Sequence, residues 1–134
     1  MINDGVLKIT KEEELKDYKF FCFNGRVELF KIDFDRFIGH KANYYDRDMN
    51  LLPFGEAAYP PSPSKQLEMP QNFDQMIALA EKLSKGLPFL RVDFYNINGK
   101  IFFGELTFFP AGGMGKFEPE EWDYKLGNWI KLNL

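Results

Sequence analysis

An α+β fold, an antiparallel sheet backed by helices, is the class this 134-residue sequence predicts. Three observations carry it. Fifteen Phe and six Tyr supply side chains that favour pleated, half-buried surfaces. Apolar-rich runs flank Asn24-Gly25, and two more surround Asn98-Gly99, which is the pattern of hairpins. Between them, one stretch carries the helical period.

Along the chain, residues 1–16 are mostly polar and charged, with a short strand at 5–9 and a helical turn at 11–16 as their candidate elements. DYKFFCF at 17–23 is an apolar-rich strand. RVELFKID at 26–33 sets Val27, Leu29 and Phe30 against Arg26, Glu28, Lys31 and Asp33. Asn24-Gly25 joins the two, since both residues accept φ > 0. Residues 34–52, rich in Asp, Asn and Tyr, hold at most short strands. Residues 53–70 contain Pro53, Pro60, Pro61, Pro63 and Pro70. Proline removes donors and fixes φ, so this segment reads as a long loop or lid rather than an element.

The spacing of Met76, Ile77, Leu79, Ala80 and Leu83 predicts a helix over 73–85. Asn72 can cap it, with Gln75 completing a capping box. Gly86 is the stop, and Pro88 lies beyond. Strands at 89–96 and 100–109 follow around Ile97-Asn98-Gly99. Residues 111–115, Ala-Gly-Gly-Met-Gly, form a flexible loop, and a short helix opens near Pro119 and runs through 120–130. There are no internal repeats, and the length is that of one domain, 1–134.

Composition excludes several classes. The formal net charge of −3 gives no reason to expect nucleic acid or an anionic membrane as partner. The single cysteine, Cys22, rules out an intrachain disulfide and a Cys-based zinc site, and points to a reducing cytoplasm. The N-terminus lacks the apolar core of a secretory signal. No apolar run approaches the ~20 residues of a membrane span.

Chemistry concentrates in the last hairpin. Alternate residues of a strand share a face, so Arg91 and Asp93 lie on one side while Leu90, Val92 and Phe94 lie on the other. By the same rule Glu105 and Thr107 oppose Phe102, Leu106 and Phe108. Buried Arg and Asp cost stability unless they are paired or have work to do. Two carboxylates on neighbouring strands make a hard-oxygen site of the kind Mg²⁺ shares with nucleotide phosphates. Arg91 alongside could neutralise them or hold a phosphate. The plainer reading is an ion pair of Arg91 with Asp93 or Glu105 on a wet sheet face.

The order of these residues resembles a known family. RVDFY, a short turn, FGELTFFP and a Gly-rich loop are similar to the end of the ATP-grasp domain in D-alanine–D-alanine ligases and their relatives. There an Arg-x-Asp strand precedes a strand ending in Glu-x-Asn. A closer resemblance, from about Asp17 to the end, is to the TupA-like ATP-grasp proteins of teichuronopeptide, capsule and other surface-polysaccharide gene clusters. It rests on DYKFFCFNGR, the Tyr-Asp-rich middle, FDQMIALAEKLSKGLPFLRVDFYN and KIFFGELTFFPAGGMGKFEPEEWDYKLGNW.

The resemblance implies the C-terminal portion of an ATP-grasp-like domain, with the lid and N-terminal domain missing from this sequence. It implies ATP and Mg²⁺ as cofactors. Asp93 and Glu105 then match the metal carboxylates, with Thr107 where the family has Asn. Arg91 matches the phosphate contact, and Lys19 a basic strand residue aimed at the phosphates, oriented by Asp17. The implied activity is ATP-dependent joining of an amino acid to a uronic-acid-bearing glycan. A nucleotide-sugar glycosyltransferase using the same carboxylates, and a non-catalytic binding module, are the alternatives.

The metal reading constrains a turn. With a two-residue Asn98-Gly99 loop and regular pairing, Asp93 faces Gly104 and Glu105 faces Val92, so the carboxylates lie on opposite sides. With a three-residue Ile97-Asn98-Gly99 loop, Gly99 in the left-handed region, Asp93 faces Phe103, Arg91 faces Glu105, and the carboxylates share a side. The function therefore calls for the longer loop.

Other residues carry weaker signals. His40 reads as a solvated loop histidine, Cys22 as a core thiol, and Trp122, Asn128 and Trp129 as packing residues. Arg36, Tyr44, Tyr45 and Asp46 could bind a sugar. The glycines of 111–115 could cradle a carboxylate through backbone amides.

Overall fold

Two Asn-Gly turns set the frame. Asn24 (φ 54°) and Gly25 (φ 79°), and again Asn98 (φ 53°) and Gly99 (φ 87°), are all left-handed. That is the type I′ geometry whose twist matches the strands it joins. The computed structural model describes residues 17–34, 41–56, 60–62, 69–108 and 117–118. The first turn joins β1 (Asp17–Phe23) to β2 (Arg26–Phe34). Strands β3 (Lys41–Asp46) and β4 (Gly55–Glu56) and helix α1 (Phe73–Ser84) follow. The second turn joins β5 (Phe89–Ile97) to β6 (Lys100–Thr107), and β7 is Phe117–Glu118.

Strands β3-β2-β1-β5-β6 form one five-stranded sheet in that order, and every neighbouring pair is antiparallel. The α+β class is as expected. Helix α1 covers one face. Its Phe73, Met76, Ile77 and Ala80 pack with Phe20, Cys22, Val27, Phe30, Leu90, Val92 and Phe94 in the main core. On the opposite face a smaller apolar cluster joins Phe21, Phe23, Leu29, Tyr44, Phe54 and Phe89. Among the described residues, no helix is long and apolar enough to cross a membrane.

Several local expectations change. The capping box at α1 does not form. Asn72 is left-handed (φ 63°) and makes no side-chain cap. Its amide instead donates to the Gly99 carbonyl at 2.6 Å. The side chain thus ties the start of the helix to the tip of the β5–β6 hairpin, which only the tertiary fold brings near. Leu83, assigned to the apolar stripe, is 44% exposed. The Pro-rich segment is not wholly a loop, because Gly55–Glu56 pairs with Phe117–Glu118. The candidate elements at 5–9, 11–16 and 120–130 lie outside the described residues, as do His40, Arg36, the 111–115 glycines, Trp122, Asn128 and Trp129.

The turn at 97–99 also differs. Ile97 pairs with Lys100, so the loop is the two-residue Asn98-Gly99. The three-residue loop is not made because Asn98 accepts the left-handed region that type I′ needs. Each hairpin instead carries one extra residue within a strand. In β2, Val27 faces Cys22 and Leu29 faces Phe21, leaving Glu28 over. In β6, Phe103 faces Phe94 and Glu105 faces Asp93, leaving Gly104 over. A bulge of this kind changes which side chains share a face. Phe102 faces Tyr95 before the bulge and Leu106 faces Val92 beyond it, so these two no longer share the side that simple alternation assigns them.

The core is testable at Phe20, which is fully buried with ring centroids of Phe30, Phe73 and Phe94 at 5.5, 5.9 and 6.0 Å. Phe20→Ala should cost about 3–5 kcal/mol in urea unfolding. A loss below about 1 kcal/mol would mean that this face is not the packed core.

Candidate functional site

The two bulges align charged residues into one row. Across the sheet from β3 to β6, the facing residues are Tyr44, Lys31, Lys19, Asp93 and Glu105. Regular pairing from the Asn24-Gly25 turn would set Lys19 against Phe30, and regular pairing from Asn98-Gly99 would set Asp93 against Gly104. With the bulges, four charged side chains stand side by side on four strands. Two steps along β5 from Asp93, Arg91 faces Thr107. Two steps the other way from Asp93, Tyr95 faces Asp17.

The charges are paired. Arg91 grips Asp93 with both arms of its guanidinium: Nε donates to Oδ1 at 2.9 Å and Nη2 to Oδ2 at 3.0 Å. The same Nη2 reaches Glu105 Oε1 at 3.3 Å. This is the ion pair that the plainer reading of the hairpin expects. Lys19 Nζ donates to Asp17 Oδ2 and lies 3.4 Å from Asp33 Oδ2. Lys31 Nζ lies 3.4 Å from Asp33 Oδ1. Lys19 therefore sits in a nest of carboxylates, with Asp17 beside it as its sequence position suggested.

Burial sets the electrostatics. Asp93 is 3% exposed, whereas the Glu105 side chain on the edge strand is 65% exposed. Loss of solvent pushes the Asp93 carboxyl up to about 6, against the opposing pull of Arg91 and Lys19. A cavity of about 520 Å³, lined by Asp17, Asp93, Tyr95, Phe103, Gly104 and Glu105, opens over the carboxylate pair.

Mg²⁺ binds hard oxygens, often one or two carboxylates with substrate phosphates completing the shell. Facing carboxylates on Asp93 and Glu105, with the Thr107 hydroxyl on the same strand, offer such a donor set. Among the described residues, no three His, Cys, Asp or Glu side chains gather to enclose an ion without further ligands. The donors present are hard oxygens, which suit Mg²⁺ rather than a softer metal.

Sequence reasoning named Arg91, Asp93, Glu105, Thr107 and Lys19, and these stand together. It missed Lys31 and Asp33, whose spacing on β2 was visible but whose register depends on the Glu28 bulge. It also missed Tyr95, Phe103 and Gly104 around the cavity. The sugar-binding suggestion for the middle segment changes. Tyr44 and Tyr45 are buried in the two cores, and the Asp46 carboxylate accepts from Asp48 N, Asn50 N and Asn50 Nδ2 within its own turn.

The Asp93 carboxyl titrates higher in the fold than in the unfolded chain. Its stabilising contribution is therefore full below about pH 4 and is lost as pH rises through about 6. Wild-type unfolding free energy should fall across that interval by an amount on the order of 3 kcal/mol from this residue. Urea melts of Asp93→Asn should lack that component. A variant with an unchanged pH slope would show that Asp93 is not the titrating group.

No match is found among curated proteins or among solved structures. The family model described as TupA-like ATPgrasp, however, matches residues 1–131. That span includes every strand of the sheet and both members of the carboxylate pair, so the chain belongs to the TupA-like ATP-grasp family.

Proposed function

We propose that this chain carries the metal and phosphate half of an ATP- and Mg²⁺-dependent carboxylate–amine ligase of surface-polysaccharide biosynthesis, working in the cytoplasm. ATP-grasp proteins generally use ATP and Mg²⁺. The observation that carries the reading to particular residues is the facing pair Asp93 and Glu105 beside Arg91. In this reading the adenine pocket and lid belong to sequence other than residues 1–134, and the acceptor is a glycan or an amino acid.

Each residue has a distinct task. Asp93, Glu105 and Thr107 would hold the metal, which when bound offsets the negative charge of the phosphates. Arg91 donates to both Asp93 oxygens. Releasing one of them would free a guanidinium arm for a phosphate oxygen, so the same arginine could serve the carboxylate and a phosphate in turn. A bidentate arginine suits that exchange better than lysine, because its planar fork matches either anion. Lys19, held by Asp17 and Asp33, contributes positive charge from a fixed position rather than as a mobile arm. Burial of Asp93 keeps the local dielectric low, and charge interactions there are strong.

The metal assignment predicts that Asp93→Asn and Glu105→Gln each weaken Mg-ATP binding by about 10–100-fold while leaving far-UV circular dichroism unchanged. Titration calorimetry is the measurement. Unchanged affinity in both variants would remove these residues from the metal site.

A further inference from the structure

The β5–β6 hairpin contains a parity problem that one residue solves. From the two-residue Asn98-Gly99 turn, pairing is regular through Phe94 opposite Phe103. The next residue of β6 is Gly104. Were it to pair regularly, it would face Asp93, and Glu105 would face Val92 on the side packed against α1. Instead Gly104 is left over, and Glu105 faces Asp93. Arg91 then reaches both carboxylates, at 2.9 Å and 3.3 Å.

The leftover residue has little room for a side chain. A Cβ added at Gly104 would lie 3.0 Å from the Asp93 carbonyl oxygen and 3.2 Å from Cε2 of the Tyr95 ring. The first of these is backbone of the residue whose position matters. Relief there takes a shift of a few tenths of an ångström in the backbone that carries Asp93. Unlike Gly99, Gly104 has no left-handed φ, so its requirement is space rather than backbone freedom. A larger residue, above all a β-branched one that favours regular strand pairing, opposes the bulge on both counts.

We infer that Gly104 is the positioning residue of the candidate metal site: its bulge turns Glu105 to the Asp93 side, so the residue can be deleted but not enlarged. Deletion joins Phe103 directly to Glu105. Regular pairing then runs from Ile97 opposite Lys100 to Phe94 opposite Phe103, and on to Asp93 opposite Glu105 with no bulge. Enlargement leaves the parity problem in place and removes its solution. The register claim stands on geometry alone, and its consequence for metal rests on the ligase reading.

The test separates those two layers. Facing strand residues lie within disulfide range, whereas residues on opposite sides of a sheet do not. The pair Asp93→Cys and Glu105→Cys is made in three otherwise complete chains: the parent, the Gly104 deletion and Gly104→Val. Cys22 is buried with its thiol pushed up to about 11, so it does not compete for oxidation. Under mild oxidation the disulfide should form in the parent and in the deletion, and be lost in Gly104→Val. Failure in the deletion, or undiminished formation in Gly104→Val, overturns the inference. Should Gly104→Val not fold, the deletion decides by itself.

Mg-ATP titration of the same two changes with Asp93 and Glu105 intact then reads the function. The deletion should stay within about threefold of wild type, and Gly104→Val should lose about tenfold or more. A wild-type chain that binds no Mg-ATP counts against the ligase reading, while the disulfide result still decides the register.

Discussion

Charge on the sheet face opposite the helix governs the rest of this structure. Asp17, Lys19, Lys31, Asp33 and Asp93 are all buried there. A buried charge without a counter-charge costs several kcal/mol, enough to consume a large share of a small domain's stability. Each of these groups therefore needs an opposite charge within reach, on its own strand or the next. That requirement ties together the registers of β2, β1, β5 and β6. A slip of one residue in any pair would turn a charged residue onto the helix-packed face and an apolar one onto this face.

The same face is divided along its length. Toward the Asn24-Gly25 end, Phe21, Phe23, Leu29, Tyr44, Phe54 and Phe89 form an apolar cluster. Toward the other end lie the lysines and carboxylates. The apolar half excludes water from one flank of the charged half, and this helps to explain why Asp93 loses solvent despite its proximity to the edge strand. The carboxylate pair is correspondingly unequal. Asp93 is buried and gripped by Arg91, whereas Glu105 stands in solvent on β6. One member is held in place by the fold, and the other is accessible to an incoming ligand.

The hairpin that carries the pair is anchored at its tip. The Asn72 amide bonds the Gly99 carbonyl, and the Asn96 amide bonds the Gln71 carbonyl at 2.6 Å. Asn96 Oδ1 also accepts from Gly99 N at 3.1 Å. These contacts fasten the tip of the β5–β6 hairpin to the segment entering α1. The left-handed conformation of Asn72 is thus spent on tertiary anchoring rather than on capping the helix. Since α1 is packed into the main core, the hairpin bearing Arg91, Asp93 and Glu105 inherits the helix's fixed position.

What the sequence determined by itself was local and periodic. Alternation marked β1, β2, β5 and β6, the 3.6-residue spacing marked α1, and the Asn-Gly pairs marked both turns, because each signal is written in neighbouring residues. The identity of the charged residues, and their likeness to an ATP-grasp pattern, was legible in the same way. Parity was not. Whether Glu105 meets Asp93, or Lys19 meets Lys31, depends on single extra residues at Gly104 and Glu28. Two- and three-residue loops were equally compatible with the letters around Asn98. Sequence reasoning found the right side for Glu105 by the wrong device, placing the correction in the turn when it lies in the strand. Tertiary structure decided the matter because a bulge forms where the facing strand and the cores on both faces demand it, and those neighbours are remote in the chain.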